Sequence, residues 1–309
     1  MIITITMNPA LDKTMEVESL TLGGLNRIQN VQIDAGGKGI NVSKMIKNLG
    51  GESLATGFVG GKSGAKLLEI VKNIGLKQDF ITIVGETRTN IKVFDKTNGI
   101  TELNETGITL SEQDEQNICD KLANMADKKA IFVLSGSLPA GVEAGFYQKL
   151  TTLLKEKGAK VFLDADGEAF RLGMKAKPNY IKPNLFELTQ YFNVPEDISM
   201  SEIKQLCLRL IDEGIETVVV SMGEKGAMFV TEDKAFYSPG LEVEVLSTVG
   251  AGDSMIGAYV YAIEQKLPLE EAIRLSVAAA SGAVMTEGTN PPTKALVEEL
   301  IKRVELVEV

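Results

Sequence analysis

Ser247-Thr248-Val249-Gly250-Ala251-Gly252-Asp253-Ser254-Met255-Ile256 is the stretch from which the arrangement of the chain can be read. Ahead of it, Glu242 to Leu246 alternates polar and apolar residues as a strand does; behind it, Met255, Ile256, Tyr259, Val260 and Ile263 recur on one helical face. The glycines therefore fall where a strand is predicted to turn into a helix. Gly250 and Gly252 tolerate backbone angles closed to other residues, and without side chains they leave the free N–H groups of the first helical turn open to a ligand. Those groups and the positive end of the helix dipole attract a phosphate or a developing oxyanion. Asp253 stands where such an anion would bind, and two readings follow. It is either a helix-start carboxylate, worth about 0.5–1 kcal/mol, or a general base placed to deprotonate a hydroxyl that attacks a phosphoryl group.

Composition narrows the choice. A chain of 309 residues that is 44% hydrophobic can bury a large α/β core. Lysine and arginine number 32 against 42 aspartates and glutamates, and a net charge of −10 argues against nucleic-acid and anionic-membrane partners. Any anionic ligand must be held by local groups. Cys119 and Cys207 fall in helix-like segments, and two thiols without a cysteine framework suit a reducing compartment. No 18-residue apolar run exists and the N-terminus reads as a strand, so a cytoplasmic location is expected. There is no histidine, which removes Ser-His-Asp and Cys-His catalysis and almost every zinc or non-haem iron site. Carboxylates, lysine, arginine, backbone amides and a hard cation are left to do chemistry.

Outward from the central stretch, strand and helix patterns alternate along most of the chain, which predicts a mostly parallel sheet. Ile2 to Met7 reads as a buried strand stopped by Asn8-Pro9, with Asp12 expected in the loop beyond, as a hydroxyl-binding carboxylate or a turn aspartate. Two β excursions break the alternation, at about 13–34 and 87–105, and the second carries a hairpin signal at Asn98-Gly99. Paired, they would form a small sheet covering the site, with Arg88 and Asn90 facing what lies beneath. Arg27 lies on the first excursion, as a phosphate clamp or a solvated surface arginine. Gly36-Gly37-Lys38-Gly39-Ile40-Asn41 opens a helix and suits an anion or a close-packed ligand, without the spacing of a Walker A loop or a dinucleotide fingerprint. Ser135-Gly136-Ser137 follows a buried strand at the expected ligand edge. Asn184 and Glu187, three apart on an opening helical turn, suit either a hydrated Mg²⁺ or a reciprocal N-cap.

Taken together, NPALD at 8–12, GGKGIN at 36–41, ETRTN at 86–90, SGSLP at 135–139, KPNLFE at 182–187, SMGEKG at 221–226 and TVGAGDS at 248–254 resemble the ribokinase-like sugar kinases, the PfkB carbohydrate kinases. The match covers essentially the whole chain in order. The resemblance implies a ribokinase-like α/β fold, with a central sheet flanked by helices on both faces, in one domain spanning 1–309 with a small β-sheet lid. It implies ATP-dependent transfer of a phosphoryl group to a phosphosugar, with fructose 1-phosphate favoured and tagatose 6-phosphate and fructose 6-phosphate as alternatives. Asp253 would be the base, and the Gly250, Ala251, Gly252 and Asp253 turn the anion hole. Asp12, Gly36, Gly37, Asn41, Asn90 and Ser137 would hold the sugar, and Lys38, Arg27 and Arg88 its phosphate. Lys182, Asn184, Ser221, Gly223, Glu224, Gly226, Thr248, Gly250, Gly252 and Asn290 would contact or border ATP. Asn184 and Glu187 would organise Mg²⁺, relatives carry a potassium site near Thr248 and Gly288, and the lid commonly forms a homodimer interface. A non-catalytic sugar- or nucleotide-binding protein of the same fold is the competing class, disfavoured by the intact GAGD and NLFE motifs.

Overall fold

The computed structural model describes residues 1–97 and 99–309. The chain begins with β1 (Ile2–Thr6), β2 (Ala10–Val17) and β3 (Asn30–Gly36), followed by α1 (Lys38–Asn48), β4 (Ser53–Gly60) and α2 (Gly61–Asn73). Short strands β5 (Lys77–Gln78) and β6 (Ile81–Ile83) precede the hairpin strands β7 (Arg88–Asp95) and β8 (Gly99–Asn104). Next come α3 (Glu112–Met125), β9 (Ile131–Ser135), α4 (Phe146–Glu156), β10 (Lys160–Asp164), α5 (Gly167–Gly173) and β11 (Tyr180–Ile181). Then α6 (Leu185–Phe192), α7 (Met200–Asp212), β12 (Thr217–Ser221), β13 (Ala227–Val230) and β14 (Ala235–Ser238) lead to the helical end. That end holds α8 (Ala251–Glu264), α9 (Leu269–Val284) and α10 (Lys294–Ile301), with β15 (Val307–Glu308) last.

The main sheet runs β15-β14-β13-β12-β11-β10-β9-β1-β4-β5, with β6 also pairing with β4. From β4 through β12 the neighbours are parallel; β13, β14 and β15 close one side antiparallel. Strands buried on both faces must alternate between two cores. Ile3, Ile5, Phe132, Leu134, Val161 and Leu163 join one core with α3, α4 and α7; Ile2, Ile131, Val133 and Phe162 join the other with α1, α8, α9 and α10. Helices α1 and α8 pack tightly because Gly257 presents no side chain: a Cβ there would lie 2.8 Å from Met45 Cβ. Their N-termini are thereby brought side by side above the carboxyl ends of β1, β9 and β10, where an open parallel sheet gathers ligands.

The two β excursions form a separate four-stranded sheet, β3-β2-β7-β8, with β2 and β7 parallel and both outer pairs antiparallel. The ladder between β7 and β8 is in place to Asp95 opposite Gly99, while Asn98 of the expected turn lies outside the described residues. Two expectations need correction. Asp12 is not in a loop beyond β1 but inside β2, opposite Asp34 and Asn90, because only Met7, Asn8 and Pro9 separate β1 from β2. Glu242 to Leu246 forms no strand. Val243 and the preceding Leu241 are partly buried against the core, but Val245 and Leu246 are exposed, and the edge of β14 is taken by β15. Its end is instead tied to helix α9, where the N–H groups of Leu246 and Ser247 both donate to the Val284 carbonyl.

Candidate active site

A cavity of about 410 Å³ opens between the carboxyl ends of β1, β9 and β10, the first turns of α1 and α8, and the inner face of the small sheet. Gly250 is the residue before α8 and holds φ at +83°, a left-handed angle open to glycine, and α8 starts at the wall of this cavity, which Gly250, Gly252 and Asp253 line. Asp253, in that same turn, is only 7% exposed and accepts a hydrogen bond on Oδ2 from Asn41 Nδ2 at 2.8 Å. Burial, followed by the neighbouring Asp164 carboxylate, pushes its pKa up to about 6, against the pull of Asn41, Lys38 and Lys182. A carboxylate so poised can accept a proton near neutral pH.

Beside it lies a lysine–aspartate cluster. Asp164, at the end of β10, has Lys38 Nζ 3.4 Å from one oxygen and Lys182 Nζ 3.4 Å from the other. Burial opposes its charge, but Lys182 and Lys38 outweigh burial and hold its carboxyl below the ordinary range. Lys38 also reaches Asp166 at 3.1 Å. Burial works against its ammonium too, and Asp164, Asp166 and Asp253 raise its pKa above that of a free lysine. Lys182 lies over the first turn of α8: a Cβ added to Gly252 would lie 3.1 Å from its Nζ. Two cations thus flank an amide pocket that also holds a proton acceptor.

The lid supplies the opposite wall. Asp12 Oδ1 accepts from Asn90 Nδ2 at 2.9 Å and Oδ2 from Lys92 Nζ at 3.0 Å, all three on the polar face that alternation along β2 and β7 turns inward. Gly36 lies directly beneath, where a Cβ would come within 2.6 Å of the Asp12 carboxyl carbon. The Arg88 guanidinium donates to the carbonyls of Asn8 and Glu105. Among the described residues, Arg88 Nε and Asn90 Oδ1 are buried without a hydrogen-bond partner.

A model of the pfkB family carbohydrate kinases matches residues 5–296. The chain belongs to that family. It is 35% identical over 306 residues to a 1-phosphofructokinase of Bacillus subtilis strain 168, covering 99% of each chain. It is also 30% identical over 312 residues to a tagatose-6-phosphate kinase of Staphylococcus epidermidis, covering 100% of each. Among solved structures it superposes on phosphofructokinase-2 from Escherichia coli in complex with potassium with a TM-score of 0.92, at 28% identity over 98% of each chain. A kinase of this family transfers phosphate to a sugar hydroxyl, which suits a site built from carboxylates, lysines and amides without histidine.

Of the residues expected in the site of this pfkB-family kinase, Asp12, Gly37, Lys38, Asn41, Arg88, Asn90, Ser137, Lys182, Gly250, Gly252 and Asp253 line the one cavity. Ala251 and Gly36 adjoin it. Arg27 does not: it sits exposed on the connection between β2 and β3, outside the cavity wall. Ser221, Gly223, Glu224 and Gly226 lie outside it as well, farther along the same sheet edge beyond β12, where Ser221 bridges Asn184. Thr248 is exposed, and Asn290 turns to a second cavity on the far side of α1, although its neighbour Thr289 lines the first. Asn184 and Glu187 close the reciprocal cap: Asn184 Oδ1 accepts from Glu187 N and Glu187 Oε2 from Asn184 N, both at 2.8 Å. Burial, together with Asp164 and Asp166, raises the Glu187 pKa despite its cap bond and Lys182, and the other oxygen, Oε1, takes no part in the cap.

Sequence reasoning missed Asp164, Asp166 and Lys92. The signals were present: Asp164 ends a buried parallel strand on its ligand side and Asp166 lies just beyond, and Lys92 shares a strand face with Asn90 two residues earlier.

Proposed function

We propose that this protein transfers the γ-phosphate of ATP to a free hydroxyl of a ketose phosphate, with fructose 1-phosphate as the first candidate and fructose 1,6-bisphosphate as its product. The carrying observation is Asp253, buried at the amide-lined start of α8 with a pKa of about 6. The hydroxyl proton passes to an Asp253 oxygen, the hydroxyl oxygen attacks the γ-phosphorus, and the bond to the ADP oxygen breaks. The N–H groups of Ala251, Gly252 and Asp253 hold the transferring phosphoryl oxygens, while Lys38 and Lys182 offset their charge. Asp12 and Asn41 orient sugar hydroxyls, Asn90 Oδ1 accepts from one, and Arg88 with Lys38 faces the substrate's own phosphate. Nucleotide binding then extends along the sheet edge over Ser221 to Gly226, with the Thr248 and Asn290 turns at its border.

Magnesium fits this edge. It keeps several waters and takes few protein oxygens, and among the described residues no three carboxylate, cysteine or histidine side chains converge on a closed metal cage. Glu187 Oε1 and the Asn184 amide would hold its hydration shell; when bound, the ion neutralises phosphate charge. A potassium ion is proposed beside the turns of Thr248 and Gly288, supported by the potassium complex of the Escherichia coli relative.

The lid has a second proposed role as a homodimer surface. Val31, Ile33 and Leu103, on the face turned away from Asp12, are 45%, 43% and 58% exposed, an apolar face on a sheet of otherwise alternating character.

A coupled ADP-release assay over fructose 1-phosphate, fructose 6-phosphate and tagatose 6-phosphate tests the substrate. The highest kcat/KM is expected with fructose 1-phosphate. A preference for tagatose 6-phosphate would move the assignment to that substrate, and no ADP release with any of them would favour a non-catalytic binding protein.

A further inference from the structure

Lys44 is a buried lysine that the reaction as described does not use. It lies on α1 with its side chain 8% exposed, and none of the carboxylates among the described residues is within ion-pair distance of its ammonium. Its Nζ donates to the Ala35 carbonyl at 2.7 Å and reaches Asn41 Oδ1 at 3.4 Å. Asn41 is three residues earlier on the same helical face, and its other amide atom, Nδ2, donates to Asp253 Oδ2. A chain of contacts thus runs from Lys44 through Asn41 to the base.

We infer that Lys44 is a positioning residue that fixes the orientation of the Asn41 amide and thereby holds Asp253 in its reactive, ionisable state. The two ends of a primary amide have nearly the same shape, and either can face a neighbour. An ammonium group has donors and no acceptor, so the end facing Lys44 must be Oδ1 and the end facing Asp253 must be Nδ2. With the amide reversed, a carbonyl oxygen would oppose a carboxylate oxygen, which disfavours the ionised aspartate and turns it from the incoming hydroxyl. Burial lowers the Lys44 pKa; Asp34 of β3, Asp12 of β2 and Asp253 of α8 support its charge, and Lys92 of β7 opposes it. Asp253 itself faces Asp164 from β10, Lys38 from α1 and Lys182 from the turn after β11, so Lys44 adds an influence from behind the base that none of these supplies.

This inference rests on Asp253 being the base, and the test separates the two. Lys44→Met removes the donors at similar volume and leaves no charge to desolvate, so the fold is expected to persist. With ATP and the preferred phosphosugar, kcat is expected to fall about tenfold to a hundredfold while both KM values stay within about threefold. The acid limb of the kcat–pH profile should move up by about one pH unit, because the aspartate loses a donor to its charged form. Lys44→Arg, which keeps charge and donors, should restore most of the rate and the original limb. In an Asn41→Ala background Lys44→Met should have a clearly smaller effect on both, leaving only the direct pull of the lysine charge on Asp253. An unmoved acid limb in Lys44→Met, or full additivity with Asn41→Ala, overturns the inference. If Lys44→Met does not fold, Lys44→Leu, which likewise removes the donors and the charge, is read by the same profile and the same criteria. If Asp253→Asn retains turnover the base assignment itself fails; if it is inactive while the Lys44→Met profile is unmoved, only the role of Lys44 fails.

Discussion

Replacing Asp253 by asparagine should stabilise the protein while cutting its turnover by orders of magnitude. Folding moves this carboxyl from the ordinary 3.8 of an aspartate to about 6, chiefly through burial. Its folded pKa lies above its unfolded one, so the protonated form is favoured by folding. The stability it allows is fully present below about pH 4 and is lost as pH rises through about 6. At about 1.4 kcal/mol per tenfold change, the ionised side chain costs on the order of 3 kcal/mol at pH 7.5, and about half that at pH 5. Asparagine keeps the shape and accepts the same bond from Asn41 without ionising. With an unfolding entropy of about 2.1 cal/mol/K per residue, 3 kcal/mol across 309 residues corresponds to about 5 °C in Tm. Differential scanning fluorimetry of ligand-free wild type and Asp253→Asn across pH 5 to 7.5 reads this directly. The expected gain is about 5 °C at pH 7.5, shrinking to roughly half at pH 5. No gain at pH 7.5, or one that does not shrink on acidification, would refute the claim that burial destabilises this carboxylate.

Two further expectations concern catalysis and two the lid. In the free enzyme the acid limb of log kcat/KM should fall near pH 6, with activity lost below it as Asp253 protonates; a limb near pH 4 would mean the carboxyl is not desolvated. Gly36→Ala would place a methyl group about 2.6 Å from the Asp12 carboxyl carbon. The displaced Asp12 should raise the phosphosugar KM about tenfold or more with the ATP KM nearly unchanged, and equal effects on both would argue against Asp12 as a sugar ligand. Lys92→Met leaves Asp12 buried without its cation and should destabilise the lid by about 3–5 kcal/mol, read as lost protection in amide exchange of β2 and β7. Ile33→Glu on the outer lid face should shift sedimentation from dimer to monomer, and a wild-type protein already monomeric would remove the proposed interface.

The parts legible in the sequence were those where local chemistry has one physical solution. A parallel sheet needs near-continuous apolar strands, and Ile2 to Thr6, Ile131 to Leu134 and Thr217 to Val220 supply them. Gly250 and Gly252 at a helix start announce exposed amides whatever lies around them. Glu242 to Leu246 misled because alternation alone supplies neither a partner strand nor burial: only Val243 of its apolar residues packs on the core, while Val245 and Leu246 are exposed. Asn184 and Glu187 were ambiguous for a sound reason: one spacing serves both a cap and a cation, and the cap is satisfied within the chain. Asp164 escaped notice because its meaning comes from Lys38 and Lys182, which are 126 and 18 residues away in sequence and meet it only through sheet order. Lys44 was unreadable for the same reason, since an amphipathic helix gives no sign that a lysine on it is buried.

The most direct test of the central claim is the turnover of Asp253→Asn with ATP and fructose 1-phosphate, measured as ADP release beside separate binding titrations of each substrate. Loss of about 10²–10⁴-fold in kcat is expected, with both dissociation constants within a few-fold of wild type. A variant that binds both substrates and turns over at a near-normal rate would contradict the account.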